Sequence, residues 1–163
     1  MMQLHEQPVP DSPSASVQEE ENASAAEKRS IAFLLTPKPY VSFLDDHSTL
    51  RQGLEKMRHH GYTALPVVTK DGAYAGTVTE GSFLWHMLDN GEYSLKTQEE
   101  FSISDILQPD RNPPVKIHAT MQELLLRVMD QNFVPVIDDR GKFMGIITRR
   151  AVIQYYYELL GNP

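Results

Sequence analysis

The chain contains no cysteine among its 163 residues, which removes disulfides, thiolate metal sites and cysteine nucleophiles together. That usage fits a reducing compartment. Long apolar runs are missing as well. The longest, such as Ile31 to Leu35 and Leu124 to Leu126, fall far short of the ~20 residues that span a bilayer. The N-terminus lacks a basic-then-apolar leader pattern. Positive charge is scarce, with 15 Lys and Arg against 22 Asp and Glu and a net charge of −7. Affinity for a nucleic-acid backbone comes from clustered Lys and Arg, so this balance argues against such a partner. No Gly-x-x-x-x-Gly-Lys-Ser/Thr loop, no Gly-x-Gly-x-x-Gly turn and no paired-carboxylate metal constellation occurs, so neither catalysis nor a cofactor is expected. His59-His60 does not make a metal site, because adjacent helical positions point ~100° apart and no third ligand has suitable spacing. A soluble, cytoplasmic, non-catalytic protein is expected, with no membrane partner.

Residues 1 to 30 hold three prolines, no Phe, Trp or Tyr, and six acids against Lys28 and Arg29. The acids include the run Glu19-Glu20-Glu21. So little apolar surface does not offset the entropy of ordering, and residues 1–27 read as a disordered acidic tail, a solubilising extension.

The rest of the chain carries an internal repeat. Leu65-Pro66-Val67-Val68, Lys70-Asp71-Gly72 and Gly76-Thr77-Val78-Thr79 recur as Val134-Pro135-Val136-Ile137, Asp139-Arg140-Gly141 and Gly145-Ile146-Ile147-Thr148. Pro66, Gly76 and Thr79 meet Pro135, Gly145 and Thr148 at one constant offset of 69. Upstream, Leu50, Leu54 and Met57 match Met121, Leu125 and Val128 at an offset of 71. The second copy is therefore two residues shorter where helix meets strand, as loops tolerate.

Local rules read both copies alike. Thr49 with Gln52, and Thr120 with Glu123, have the spacing of a capping box opening an amphipathic helix. Gly61 is placed to stop the first helix in a left-handed cap, whereas Asn132 is the expected stop of the second. Lys70-Asp71-Gly72 and Asp139-Arg140-Gly141 are hairpin turns between apolar runs. A helix follows each hairpin, at 82–88 and 151–160. Neither copy buries both faces of a three-stranded sheet alone. The expected fold is mixed α/β (α+β): two β-α-β-β-α repeats, 28–88 and 102–163, joined by a linker at 89–101 and packed sheet to sheet with pseudo-twofold symmetry.

This duplicated pattern of capped helix, apolar-Pro-Val-apolar strand, Asp-x-Gly-type turn and Gly-x-x-Thr strand end resembles a tandem CBS-domain pair, or Bateman module. The run Gly61-Tyr62-Thr63-Ala64-Leu65-Pro66-Val67 with Thr148-Arg149-Arg150 is similar to stand-alone CBS pairs that bind cyclic di-AMP. The resemblance implies a homodimeric regulatory module that senses an adenine nucleotide and signals to an effector protein. It implies adenine contacts from a strand Tyr40-Val41-Ser42-Phe43 and from Tyr62, Thr63 and Ala64. Phosphate contacts fall to Thr148, Arg149 and Arg150, and Pro66 and Ile147 belong to the same ligand-binding set. Many AMP- and ATP-binding members carry an Asp three residues after the Thr or Ser, where this chain has Ser82 and Ala151. A carboxylate accepts two bonds from a free ribose cis-diol, Ser accepts weakly and Ala not at all. Cyclic di-AMP has each 3′-oxygen esterified, so it is expected ahead of AMP, ADP or ATP. The first repeat has Thr79-Glu80-Gly81 at the corresponding corner, where an acid repels phosphate.

Overall fold

The structure is a computed structural model that describes Val17 and residues 29–161. Val17 apart, the expected tail lies outside the described residues. In chain order the elements are β1 (Thr36–Pro37), β2 (Leu44–Asp45), α1 (Leu50–His60), β3 (Ala64–Val68), β4 (Tyr74–Thr79), α2 (Glu80–Asn90), β5 (Val115–Lys116), α3 (Met121–Asp130), β6 (Phe133–Ile137), β7 (Phe143–Thr148) and α4 (Arg149–Leu159). They form two sheets, β2-β3-β4 and β1-β7-β6-β5, each built on one antiparallel hairpin with a parallel outer strand.

The helix starts follow from the capping residues. Thr49 Oγ1 accepts from Gln52 N at 3.2 Å while Gln52 Oε1 accepts from Thr49 N at 3.0 Å. Thr120 and Glu123 repeat the arrangement at 3.1 and 2.7 Å, and the bonds Thr120 donates hold the Glu123 carboxyl below the usual carboxylate range. Between β1 and β2 the expected strand Tyr40–Phe43 does not form. Lys38–Tyr40 is a 3-10 turn, with Pro39 in its first turn, and strand pairing begins only at Leu44. Proline has no N–H for a ladder and a fixed φ that suits the start of a helical turn, which explains the difference.

The two cores are completed reciprocally. Leu44, Leu50, Met57, Leu65, Val67, Val78 and Phe83 of the first repeat enclose Ile103 and Ile106, from the start of the second. Met121, Leu124, Val128, Val134, Val136, Ile147, Val152 and Tyr155 enclose Ile31, from the start of the first. Ile31 and Ile103 are fully buried, worth about 1.5–3 kcal/mol each in transfer free energy. To reach those positions, each entry segment crosses the other repeat's sheet at the glycine of the Gly-x-x-Thr motif. A Cβ on Gly145 would lie 2.1 Å from Thr36 O, and one on Gly76 2.8 Å from Gln108 O. That is the physical reason for the motif's glycine. Within the expected linker, Gln98 is also fully buried, its Nε2 donating to Glu92 O at 3.0 Å.

The hairpin turns meet across the pseudo-twofold. Phe143 N donates to Gly72 O at 2.9 Å and Tyr74 N to Gly141 O at 3.2 Å. Lys142 Nζ donates to Asp71 Oδ2 at 2.8 Å, and chiefly through that bond the Asp71 carboxyl is lowered to about 2. A depressed carboxylate contributes stability above its ordinary range and loses it as pH falls through about 2.

Two outcomes follow from this packing. Gly145→Ala should lose at least about 2 kcal/mol of unfolding free energy in urea, from the collision with Thr36 added to the strain of its positive φ. Gly141→Ala, at φ 80° with nothing within 4 Å of its Cβ, should lose only about 1–2 kcal/mol. In Lys142→Met the Asp71 titration, followed by NMR, should move up toward the ordinary carboxylate value.

Candidate functional site

Two open clefts adjoin, one where the repeats meet and one within the second half of the chain. One, of about 390 Å³, runs from Thr63 and Ala64 at the start of β3 to Thr79, Glu80, Gly81 and Ser82 at the β4–α2 corner. Its far side is Gln108, Arg111 and Asn132 from the second half of the chain. Trp85 closes one end, its indole Nε1 3.4 Å from where a Cβ on Gly81 would stand. The other cleft, of about 1150 Å³, lies between the segment 107–119 and the face of α3 bearing Glu123, Leu126, Arg127 and Asp130. Gln108 and Arg111 line both.

The segment between the clefts is fastened to the first sheet. The Tyr74 hydroxyl lies 2.8 Å from Asn112 O and 3.2 Å from Arg111 O, to which it donates, while accepting from Thr77 Oγ1 at 2.9 Å. Burial pushes the Tyr74 hydroxyl up to about 12, so it stays a donor at physiological pH. Thr77 N donates to Gln108 O at 3.4 Å. These bonds set the backbone around Arg111, whose guanidinium has no hydrogen bond or ion pair among the described residues and is exposed.

The expected site residues are distributed unequally. Thr63 and Ala64 line the smaller cleft. Tyr62 precedes them, half exposed, its ring stacked on His60 at 5.4 Å and 17°. Pro66 and Ile147 are buried, and Ile147 lies in the second core. Tyr40 is 82% exposed, and Val41, Ser42 and Phe43 line neither cleft. Phe43 instead packs 6.0 Å from Phe143, with Lys38 and Lys56 over its ring. At the other corner Thr148 caps α4, accepting from Ala151 N at 3.1 Å. That corner adjoins the smaller cleft through Asn132, whose carbonyl accepts from Arg149 N at 2.8 Å. Arg150 is exposed and without a partner among the described residues.

The Arg149 side chain closes a helix end. Helix α1 ends on Gly61 at φ 68°, and the N–H groups of Gly61 and Tyr62 close on Met57 O. The second repeat lacks that glycine, and α3 stops one residue earlier than expected, at Gln131, whose φ of −116° and ψ of 134° are extended. Its last carbonyls have no left-handed cap. The Arg149 guanidinium supplies the donors, Nε to Val128 O at 2.7 Å and to Gln131 O at 3.2 Å, and Nη2 to Met129 O at 3.5 Å. A cation at a helix C-terminus also suits the dipole. Glu80, the matching residue of the first repeat, stands where no such cap is needed.

At the same offset Ser82 serves the first corner. Its Oγ accepts from Thr79 N at 3.0 Å inside a capping box, and the residue is 6% exposed, so it is committed to the helix start. Among the described residues there is no cluster of three or more His, Asp or Glu able to hold a metal, and no helix is long and apolar enough to cross a membrane.

The CBS-domain family model matches residues 34–89 and 103–158, more than half the chain. The chain belongs to the CBS-domain family. Among solved structures, this CBS pair superposes on CbpB in complex with c-di-AMP with a TM-score of 0.80 at 22% identity, covering 88% of this chain and 95% of that one. CbpB of Listeria monocytogenes in complex with c-di-AMP gives 0.71 at 22% identity, covering 80% and 96%. These likenesses show the fold. A curated relative, an uncharacterized protein of Methanopyrus kandleri, is 26% identical over 103 residues, 61% of this CBS pair. The match spans 49% of that relative's length.

Gln108, Arg111, Asn132 and Trp85 were not anticipated as site residues. A signal for the first two exists in the repeat: Ile31, Leu34, Leu35 and Pro37 recur as Ile103, Ile106, Leu107 and Pro109 at an offset of 72. That makes 103–109 the counterpart of the first entry segment, and places Gln108 and Arg111 beside a repeat boundary. Because Arg149 closes α3, Arg149→Ala should lower unfolding free energy in urea by about 1.5–3 kcal/mol, with partial recovery in Arg149→Lys.

Proposed function

We propose that this CBS pair is a non-catalytic regulatory protein that binds an adenine nucleotide, cyclic di-AMP ahead of AMP, ADP or ATP, across the two adjoining clefts. The observation that carries the reading is the junction itself, where two clefts share Gln108 and an Arg111 whose guanidinium has no partner among the described residues. A ligand with two bases and two phosphates suits a two-lobed space with a free guanidinium between the lobes, because each phosphate gains from charge-assisted donors. Arg150, beyond Asn132, is the second candidate for a phosphate, and Thr63 and Ala64 stand beside the base. Ser82 is held in its cap and Ala151 has no side-chain acceptor, so neither of these two residues reads a free cis-diol. The CbpB structures solved with c-di-AMP support the same ligand. Exposed apolar side chains on three helices, including Leu84 and Leu88, Met129, and Ile153 and Tyr157, support a homodimer. In this reading the protein acts in the cytoplasm and relays occupancy to an effector protein, with neither nucleic acid nor membrane as partner. The boundaries 28–88 and 102–163 describe the repeats along the chain, with each entry segment seated in the other's core.

Trp85 is the one tryptophan of the chain and lines the smaller cleft, so its emission should change on binding. Titration with cyclic di-AMP, AMP, ADP, ATP and cyclic di-GMP should place cyclic di-AMP tightest. Arg111→Ala and Arg150→Ala should each weaken it by about 10- to 150-fold, whereas Arg149→Ala should leave the folded protein's affinity nearly unchanged. No response to any of the five would favour a ligand-independent interaction module instead. Light scattering should give twice the 18.5 kDa chain mass, and a value at the chain mass would overturn the dimer.

A further inference from the structure

The first repeat fills with its own side chain a place that the second leaves open. Strands β2 and β5 pair with matching residues of β3 and β6, Leu44 with Val67 and Val115 with Val136, so Phe43 and Pro114 stand at equivalent positions. The Phe43 ring lies under Lys38 and Lys56, whose Nζ atoms are 5.3 and 5.5 Å from its centroid, and it meets Phe143 edge-on at 6.0 Å. Phe143 in turn stacks on its own counterpart, Tyr74, at 6.2 Å and 27°. Three rings thus run in a row across the pseudo-twofold. The fourth place, related to that of Phe43 by the pseudo-symmetry, falls to Pro114. Pro114 lines the larger cleft, and so does Arg127, the counterpart of Lys56 at the offset of 71. The Arg127 guanidinium is exposed and makes no hydrogen bond or ion pair among the described residues. The Glu123 carboxylate, on the same face of α3, is committed to Thr120 N at 2.7 Å.

We infer that the larger cleft seats a planar aromatic ring at the place equivalent to Phe43, with Arg127 against its face, and that this ring is the second base of the cyclic dinucleotide. The inference rests on the nucleotide reading above. A guanidinium stacks flat on a π-system and is attracted to its negative face, the part that Lys38 and Lys56 play toward Phe43. A base offers that face without any edge contact, so the seat holds a ring by stacking and does not select among purines. Both clefts open on Arg111, so a phosphate can stay at that guanidinium while the two bases part to either side. A mononucleotide has one base for two lobes and leaves the second seat unused.

The test gives the second repeat the ring that the first already has. In Pro114→Phe the chain fills the seat itself, and isothermal titration on the full chain should show cyclic di-AMP weakened by about 5- to 150-fold, the worth of one stacked base. AMP should bind the variant and the wild type alike, to within about twofold. Arg127→Ala should weaken cyclic di-AMP by at least about twofold, and it carries the comparison if a thermal melt shows that Pro114→Phe does not fold. If a folded variant keeps the wild-type affinity for cyclic di-AMP, or loses AMP to the same degree, the inference is overturned while the nucleotide reading stands. Where AMP is too weak to titrate, the cyclic di-AMP comparison decides alone. If the wild type binds neither nucleotide, the reading beneath fails, and the seat for a second base fails with it.

Discussion

The structure depends on one reciprocal crossing. Each repeat sends its entry segment over the other's sheet at a glycine, Thr36 past Gly145 and Gln108 past Gly76, and buries an isoleucine in the other's core. Packed interiors tolerate little mismatch, so neither sheet can be completed without its partner segment. The same crossings carry Gln108 and Arg111 to the seam between the repeats. The constraint that makes one folded unit from two copies therefore also builds the cleft walls.

Departures from symmetry decide the chemistry. Two fewer residues in the second copy remove the glycine that would end α3, and Arg149 replaces it with a side-chain cap reaching three carbonyls. That engagement ties the guanidinium to the end of α3. In the first copy Gly61 closes α1 by itself, leaving the matching position free to be Glu80, which lines the smaller cleft. The positive charge available at the junction comes instead from Arg111, held in place by the Tyr74 hydroxyl through the backbone on either side of the Arg111–Asn112 peptide.

Much of the fold was legible because it is written in local rules. Thr49 and Thr120 announce their helices by capping-box spacing, the hairpin turns by Asp and Gly, and the duplication by a constant offset. The strand at Tyr40–Phe43 was misread because β-prone residues there follow two prolines, and proline chemistry prevails over propensity. The role of Arg149 was not legible, since it depends on a missing glycine some twenty positions upstream and on a contact between two helices. Arg111 was hidden for another reason: its neighbourhood repeats the first entry segment at an offset of 72, distinct from the 69 and 71 of the hairpins and helices. Thr63 and Ala64 line a cleft whose other wall comes from the second half of the chain, which local rules do not bring together.

The most direct measurement is an amide and indole chemical-shift map of the full chain with saturating cyclic di-AMP. The account predicts the largest changes at Thr63, Ala64, Gln108, Arg111, Asn132 and the Trp85 indole, around the seam where both clefts meet. Changes confined to Tyr40–Phe43, or no changes at all, would contradict it.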